Sequence, residues 1–253
     1  MQIQLNGRIA LVTGGGTGIG RGIALSLARA GADVAITYMS NEAGAAQTVR
    51  EMEALGVRAI SLRADLTILD EVTRTVAAVT DRLGNITILV NNAGGMVRRT
   101  ALDEVTEAYY HQVMDLNLKS TVFTTQAVIP AIRRAGWGRI INMSSIAAHN
   151  GGGGGSSIYA ASKAAVIGFS KGLAKELAPI ATVNVVSPGL IGDTPFHQIH
   201  STPERFEAVK RSIPMGREGF PADVAHVVCF LASEQAGWIT GETVEINGGA
   251  LMR

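Results

Sequence analysis

Tyr159 and Lys163 stand four residues apart in Ser-Ser-Ile-Tyr-Ala-Ala-Ser-Lys, a spacing that puts both on one face if the segment is helical. A phenol is a poor acid near neutrality, with a reference pKa of about 10. An ammonium held beside it favours the phenolate and lowers that value toward the working pH, as general acid–base catalysis requires. The pair alone does not make a site, because the same spacing on a solvated helix is an ordinary surface pattern. What matters is which elements hold the pair and what else they bring to it.

Short β-branched runs alternate with longer stretches of helical periodicity. Residues 9–13, 34–38, 59–63, 86–91, 139–143, 182–186 and 243–246 predict strands. Runs such as Ile-Thr-Ile-Leu-Val at 86–90 are continuously apolar, as expected of strands covered on both faces by crossover helices. The pattern predicts an α/β fold: a Rossmann-type doubly wound, mainly seven-stranded parallel sheet in a single domain over residues 1–253. Ligands of such sheets lie beyond the carboxyl ends of the strands, where the order reverses.

The first predicted strand runs into Thr-Gly-Gly-Gly-Thr-Gly-Ile-Gly at 13–20, followed by a helical pattern closed by Gly31. Gly14, Gly16, Thr17, Gly18, Ile19 and Gly20 would form a tight turn whose amides approach a pyrophosphate at the amino end of that helix. The spacing departs from the G-x-G-x-x-G fingerprint, so alone it also fits a plain strand-to-helix turn.

The formal charge of +1 comes from 22 basic and 21 acidic residues spread along the chain, a balance that predicts neither a nucleic acid nor a membrane partner. No apolar run reaches the roughly 18 residues of a spanning helix, and the amino terminus has no apolar leader. Cys229 is the sole cysteine, so no internal disulfide forms and a reducing compartment is expected. These features predict a cytoplasmic protein with a small-molecule partner.

Taken together, Thr13-Gly-x-x-x-Gly-Ile-Gly20, Asn91-Asn-Ala-Gly94, and Ser145 followed by Tyr159 and Lys163 resemble the classical short-chain dehydrogenase/reductase family, and within it the 3-oxoacyl-acyl-carrier-protein reductase-like group. Asp65-Leu66, Asn117 in Met-Asp-Leu-Asn-Leu, Ser187-Pro-Gly189 and the tail from Gly216 through Gly249 extend the likeness over essentially the whole chain. The resemblance implies that Tyr159 is the general acid in carbonyl reduction and the general base in alcohol oxidation. Lys163 would lower the phenol pKa and hold the nicotinamide ribose. Ser145, rather than its neighbour Ser144, would donate to the substrate oxygen as charge develops there. Asn117 would help hold a water that relays protons from the lysine. Asp65, Leu66, Asn92, Ala93, Gly94, Pro188, Gly189 and Ile191 would line the dinucleotide, with Asn91 bracing backbone. Thr194 would contact the carboxamide, its plain alternative being a helix cap before Pro195. The resemblance further implies a substrate lid over residues 191–214 and a homotetramer paired through helices at 101–135 and 157–178. Two departures stand out: the interval from Ser145 to Tyr159 is one residue longer than usual, within the glycine run 151–155 that reads as a mobile loop, and the loop before Val183 is one residue short.

An acid at the end of the second strand would accept from a ribose 2′-hydroxyl and repel a 2′-phosphate. Here that place holds Tyr38, followed by Met39, Ser40 and Asn41, which favours NADP(H) over NAD(H), with Ser40 and Asn41 as donors and Arg21 and Arg63 as sources of charge. The expected activity is oxidoreduction between a ketone and a secondary alcohol, on a 3-oxoacyl thioester carried by an acyl carrier or on another small carbonyl. An NAD-dependent sugar or small-alcohol dehydrogenase is the alternative. A non-catalytic dinucleotide-binding regulator fits less well, because Asn117, Ser145, Tyr159 and Lys163 are all present. Arg98-Arg99 reads either as a docking point for an acidic carrier or substrate carboxylate, or as solvated surface. His197 and His200 lack partners at metal-ligand spacing, so no metal is expected.

Overall fold

The computed structural model describes residues 3–194 and 202–252. Its strands are β1 (Ile9–Val12), β2 (Asp33–Tyr38), β3 (Ala59–Arg63), β4 (Ile88–Asn91), β5 (Gly138–Met143), β6 (Ala181–Pro188) and β7 (Thr243–Ile246). The helices are α1 (Gly18–Arg29), α2 (Glu42–Glu53), α3 (Leu69–Arg82), α4 (Glu107–Met114), α5 (Ser120–Ala135), α6 (Ala147–Asn150), α7 (Ser157–Leu177), α8 (Pro203–Ser212) and α9 (Pro221–Leu231). The strands form one sheet, ordered β3-β2-β1-β4-β5-β6-β7, and every pairing is parallel. This is the doubly wound sheet that the apolar runs predict.

The strands' period of two explains how such short runs hold two helical layers. Ala10, Val12, Val34, Ile36, Val90 and Ile141 face α1, α2 and α9, packing against Ile23, Leu27, Met52, Val224 and Val228. Leu11, Ala35, Leu89, Ile140 and Val183 face the opposite way, onto Val79 of α3, Val128 and Ile132 of α5, and Leu173 and Leu177 of α7. The central strands are therefore apolar on both sides, and the order reverses between β1 and β4, the kind of place where such sheets bind their ligands.

The predicted helix over 101–135 is interrupted. Thr106 caps the true start, its hydroxyl accepting from the Tyr109 amide at 3.2 Å, and residues Leu102–Glu104 form a single 3₁₀ turn before it. Between α4 and α5 the helix widens into a π turn over Asp115–Lys119, a distortion found often at functional sites. The glycine run, expected as a mobile loop, is hydrogen-bonded at two points. The Thr100 amide donates to the Gly155 carbonyl at 3.0 Å and Arg99 donates to the Gly154 carbonyl at 3.0 Å, so the run is clasped to the segment after β4. Among the described residues no helix is long and apolar enough to cross a membrane.

Candidate active site

The carboxyl end of β1 is tied to that of β4 by one threonine. Thr13 Oγ1 accepts from the amides of Asn92 and Ala93, both at 2.9 Å, while Asn92 Nδ2 donates to the carbonyls of Thr13 and Gly14 at 2.9 and 3.2 Å. Gly14 takes φ 66°, a left-handed turn that glycine adopts without strain, and its amide donates to Thr37 Oγ1 at 3.1 Å. A side chain on Gly20 would collide with the Gly14 carbonyl and stand 2.5 Å from Asn92 Nδ2. The α1 amino end thus presses against the loop. Thr17, its N-cap, makes no side-chain cap bond, and the first turn carries no acid. The amides there keep their capacity for an anion.

The Tyr159 group gathers at the ends of β4, β5 and α7. Lys163 Nζ donates to the Met143 carbonyl at the end of β5, at 2.9 Å. Ser145 is hydrogen-bonded to the Tyr159 hydroxyl and its own Oγ accepts from the Ala147 amide at 3.2 Å. Ser144 is used elsewhere: its hydroxyl donates to the Lys163 carbonyl at 2.9 Å. Asn117, fully buried in the π turn, donates to the carbonyls of Gly95 and Val113 at 2.8 and 2.9 Å and accepts from the Gly95 amide at 3.0 Å. A side chain on Gly94 would stand 2.6 Å from Asn117 Oδ1 and 3.0 Å from Lys163 Nζ. Asn117, Lys163 and the Asn-Ala-Gly backbone therefore meet at one place, and the Ser145–Tyr159 hydroxyl pair stands one helical turn along α7.

Burial dominates the electrostatics. It pushes the Tyr159 phenol above its ordinary value, with the Ser145 hydrogen bond acting the other way, and it lowers the Lys163 amine to about 8. The lysine charge is not among the causes that act on the phenol in this arrangement. Desolvation disfavours the charged form of each group, and Lys163 is turned to the Met143 carbonyl.

A family model described as enoyl-(acyl carrier protein) reductase matches residues 14–250. The 3-oxoacyl-acyl-carrier-protein reductase of Aquifex aeolicus is 39% identical over 250 residues, 98% of this chain and 99% of that one. The chain belongs to the short-chain dehydrogenase/reductase family. Among solved structures, a dehydrogenase/reductase of Sinorhizobium meliloti 1021 superposes with a TM-score of 0.92 at 38% identity, covering 99% of this chain and 98% of that one. A blue fluorescent protein from a metagenomic library, solved with NADPH, gives 0.89 at 36% identity, with 98% and 100% covered.

Several of the remaining predicted positions of this short-chain dehydrogenase/reductase are held by partners of their own. Asn91 is a brace, its Nδ2 donating to Thr125 Oγ1 and Asn142 Oδ1 at 2.9 and 2.8 Å, and Asn92 spends both amide hydrogens on the glycine loop. Asp65 Oδ1 accepts from the amide and hydroxyl of Thr67 at 2.9 and 2.7 Å, which turns the chain into α3, while buried Leu66 packs beside Ala93. Tyr38 lies half-buried against the core, Ser40 is exposed, and Asn41 caps α2, accepting from the Gly44 amide at 2.9 Å. Arg21 is bound by Glu51 through two contacts of 2.8 and 2.6 Å, whereas exposed Arg63 donates to the Met39 carbonyl at 3.2 Å. Gly189, after Pro188, donates its amide to the Ile246 carbonyl at 2.9 Å. Thr194 Oγ1 donates to the Ile191 carbonyl at 3.0 Å. His197 and His200 lie outside the described residues. The residue the sequence reading missed is Thr13; a hydroxyl closing a buried apolar strand was its only signal.

Proposed function

We infer that this chain interconverts a ketone and a secondary alcohol with NADP(H), Tyr159 serving as general acid in reduction and general base in oxidation. The observation that carries this reading is the Tyr159–Ser145 hydroxyl pair, its tyrosine buried one helical turn from buried Lys163. A bound nicotinamide dinucleotide would supply or accept the hydride. Gly14 to Gly20 would hold its pyrophosphate, since the α1 amino end has neither cap nor acid to compete. Asn92, Ala93, Gly94, Lys163, Pro188, Gly189, Ile191 and Thr194 would line the rest, with Asp65 and Leu66 toward the adenine.

Tyr159 Oη passes its proton to the carbonyl oxygen as negative charge grows there, and Ser145 steadies that oxygen by a second donation. Lys163, charged below its value of about 8, makes release of the phenolic proton easier when it turns from the Met143 carbonyl toward the site. Asn117 fixes Gly95, and so the floor under the lysine. NADP(H) is preferred because no acid stands at the end of β2, and Ser40, Asn41 and Arg63 are the available donors. The neutralisation of Arg21 by Glu51 favours the second reading, an NAD-dependent dehydrogenase of sugars or small alcohols. The family likeness makes a 3-oxoacyl thioester the first substrate to try and a homotetramer the assembly to expect. Wholly exposed Trp238 supplies apolar surface for such an assembly.

The test pairs a fluorescence titration of NADPH against NADH with a panel of acetoacetyl thioesters, sugars and small ketones followed by nicotinamide absorbance. Tighter NADPH binding with reduction of a panel ketone is expected. Tighter NADH binding would overturn the cofactor preference, and reduction of none would overturn the activity.

A further inference from the structure

The segment after β4 is strained. Val97 takes φ 65°, a genuine outlier for a β-branched residue, at the centre of a three-residue turn closed by the Arg98 amide on the Met96 carbonyl at 2.8 Å. Such γ-turns are rare, and strain of this kind gathers at ligand sites. The Tyr109 hydroxyl holds the turn by donating to the Arg98 carbonyl at 2.7 Å. The turn separates two neighbouring arginines. Arg98 lies over the Tyr109 ring, 4.7 Å from its centroid, while Arg99 reaches the glycine run and donates to Gly154 O and Ser156 Oγ at 3.0 and 2.9 Å.

Arg205, in the first turn of α8, arrives at the same run from the other side. A side chain on Gly153 would collide with the Arg205 guanidinium and stand 3.2 Å from Arg99 Nη1. The absence of a side chain at 153 therefore lets the Arg205 guanidinium lie against the run, close to that of Arg99. Like charges brought together cost energy unless an anion joins them. Burial, and after it the Arg205 charge, already lowers the Arg99 pKa. Among the described residues no carboxylate forms an ion pair with Arg205. The site also lies near the proposed chemistry: Ser156, which Arg99 touches, precedes Tyr159 by three residues, one helical turn or about 5 Å along α7.

We propose that Arg99 and Arg205 bind an oxyanion on the substrate, so that the enzyme acts on ketones carrying a carboxylate or phosphate a few bonds from the reacting carbonyl. This rests on the reductase reading of Tyr159. Paired guanidinium forks match the oxygens of either group. Arg99 is half-buried behind the glycine run, which suits a small molecule entering the cleft better than an acidic protein face.

The test compares acetoacetate with its methyl ester, and dihydroxyacetone phosphate with dihydroxyacetone, by kcat/KM in the native protein and in Arg205→Ala. Arg205 is exposed, so the variant does not threaten the fold, and Arg205→Glu repeats the test with reversed charge. The native enzyme should favour the charged member of one pair by about 10-fold or more, and Arg205→Ala should remove about that factor. The pair that responds identifies carboxylate or phosphate. Equal use of charged and neutral members, or an equal loss on both in the variant, would overturn the proposal. Thermal unfolding in inorganic phosphate or acetate against chloride, at matched ionic strength, separates the two readings. A stabilisation lost in Arg205→Ala supports the anion site even if all four ketones fail and the reductase reading falls. No difference between the proteins counts against the site whatever the turnover.

Discussion

Lys163 should make this protein more stable as the solution turns alkaline. Its amine falls from 10.5 to about 8 through burial alone. Between these values the unfolded chain holds a proton that the folded chain has released, so stability rises with pH across that window. At pH 7 both states are charged and burying the ammonium opposes folding by about 3 kcal/mol; by pH 9.5 that cost has shrunk to about 1 kcal/mol. The side chain is almost wholly buried, so solvent screening does not erode these figures. Lys163→Met abolishes the dependence, although it leaves the Met143 carbonyl without its 2.9 Å donor, at about 1–3 kcal/mol. That loss is the same at every pH, so the readout is the change in the difference between the two proteins. Burial pushes the Tyr159 phenol above its ordinary value, so it holds its proton more firmly as the solution turns alkaline. Urea unfolding followed by circular dichroism at pH 7 and 9.5 should show the native protein gaining about 2 kcal/mol on the variant. A difference that stays constant, or moves toward the variant, would refute the burial argument.

Other perturbations read other parts of the site. Gly20→Ala forces a methyl against the Gly14 carbonyl and Asn92. It should cost about 1–3 kcal/mol of stability and weaken NADPH binding in a fluorescence titration. Asn117→Ala removes a buried side chain with three hydrogen bonds to Gly95 and Val113, and should lower the urea midpoint by the equivalent of about 2–4 kcal/mol. Glu51→Gln releases Arg21 from its doubly bonded partner. NADPH should then bind several-fold tighter while NADH is unchanged, and equal changes in both would show that Arg21 does not reach the phosphate.

The sheet was legible because its central strands are buried on both faces, so residues such as those of β1 and β4 form apolar runs rather than an alternation. Ser145 could be told from Ser144 only by family likeness, and the structure gives the reason: the Ser144 hydroxyl is spent on the Lys163 carbonyl, whereas Ser145 bonds to Tyr159. Long-range pairings left no trace in spacing. Thr13 latches two strands through backbone amides, Asn92 is consumed as a brace, and Arg205 meets Arg99 across the glycine run. The sign of the tyrosine shift was hidden as well. Sequence shows that a lysine is near the phenol but not how much water the phenol loses, and here desolvation outweighs the Ser145 hydrogen bond.

The account stands most directly on the phenolic proton, and Tyr159→Phe removes that hydroxyl while keeping the ring. Single-turnover oxidation of bound NADPH by a reducible ketone, measured beside NADPH affinity, should show a rate lower by about 10²- to 10⁴-fold with affinity nearly unchanged. A rate near that of the native protein would contradict the assignment of Tyr159 as the acid.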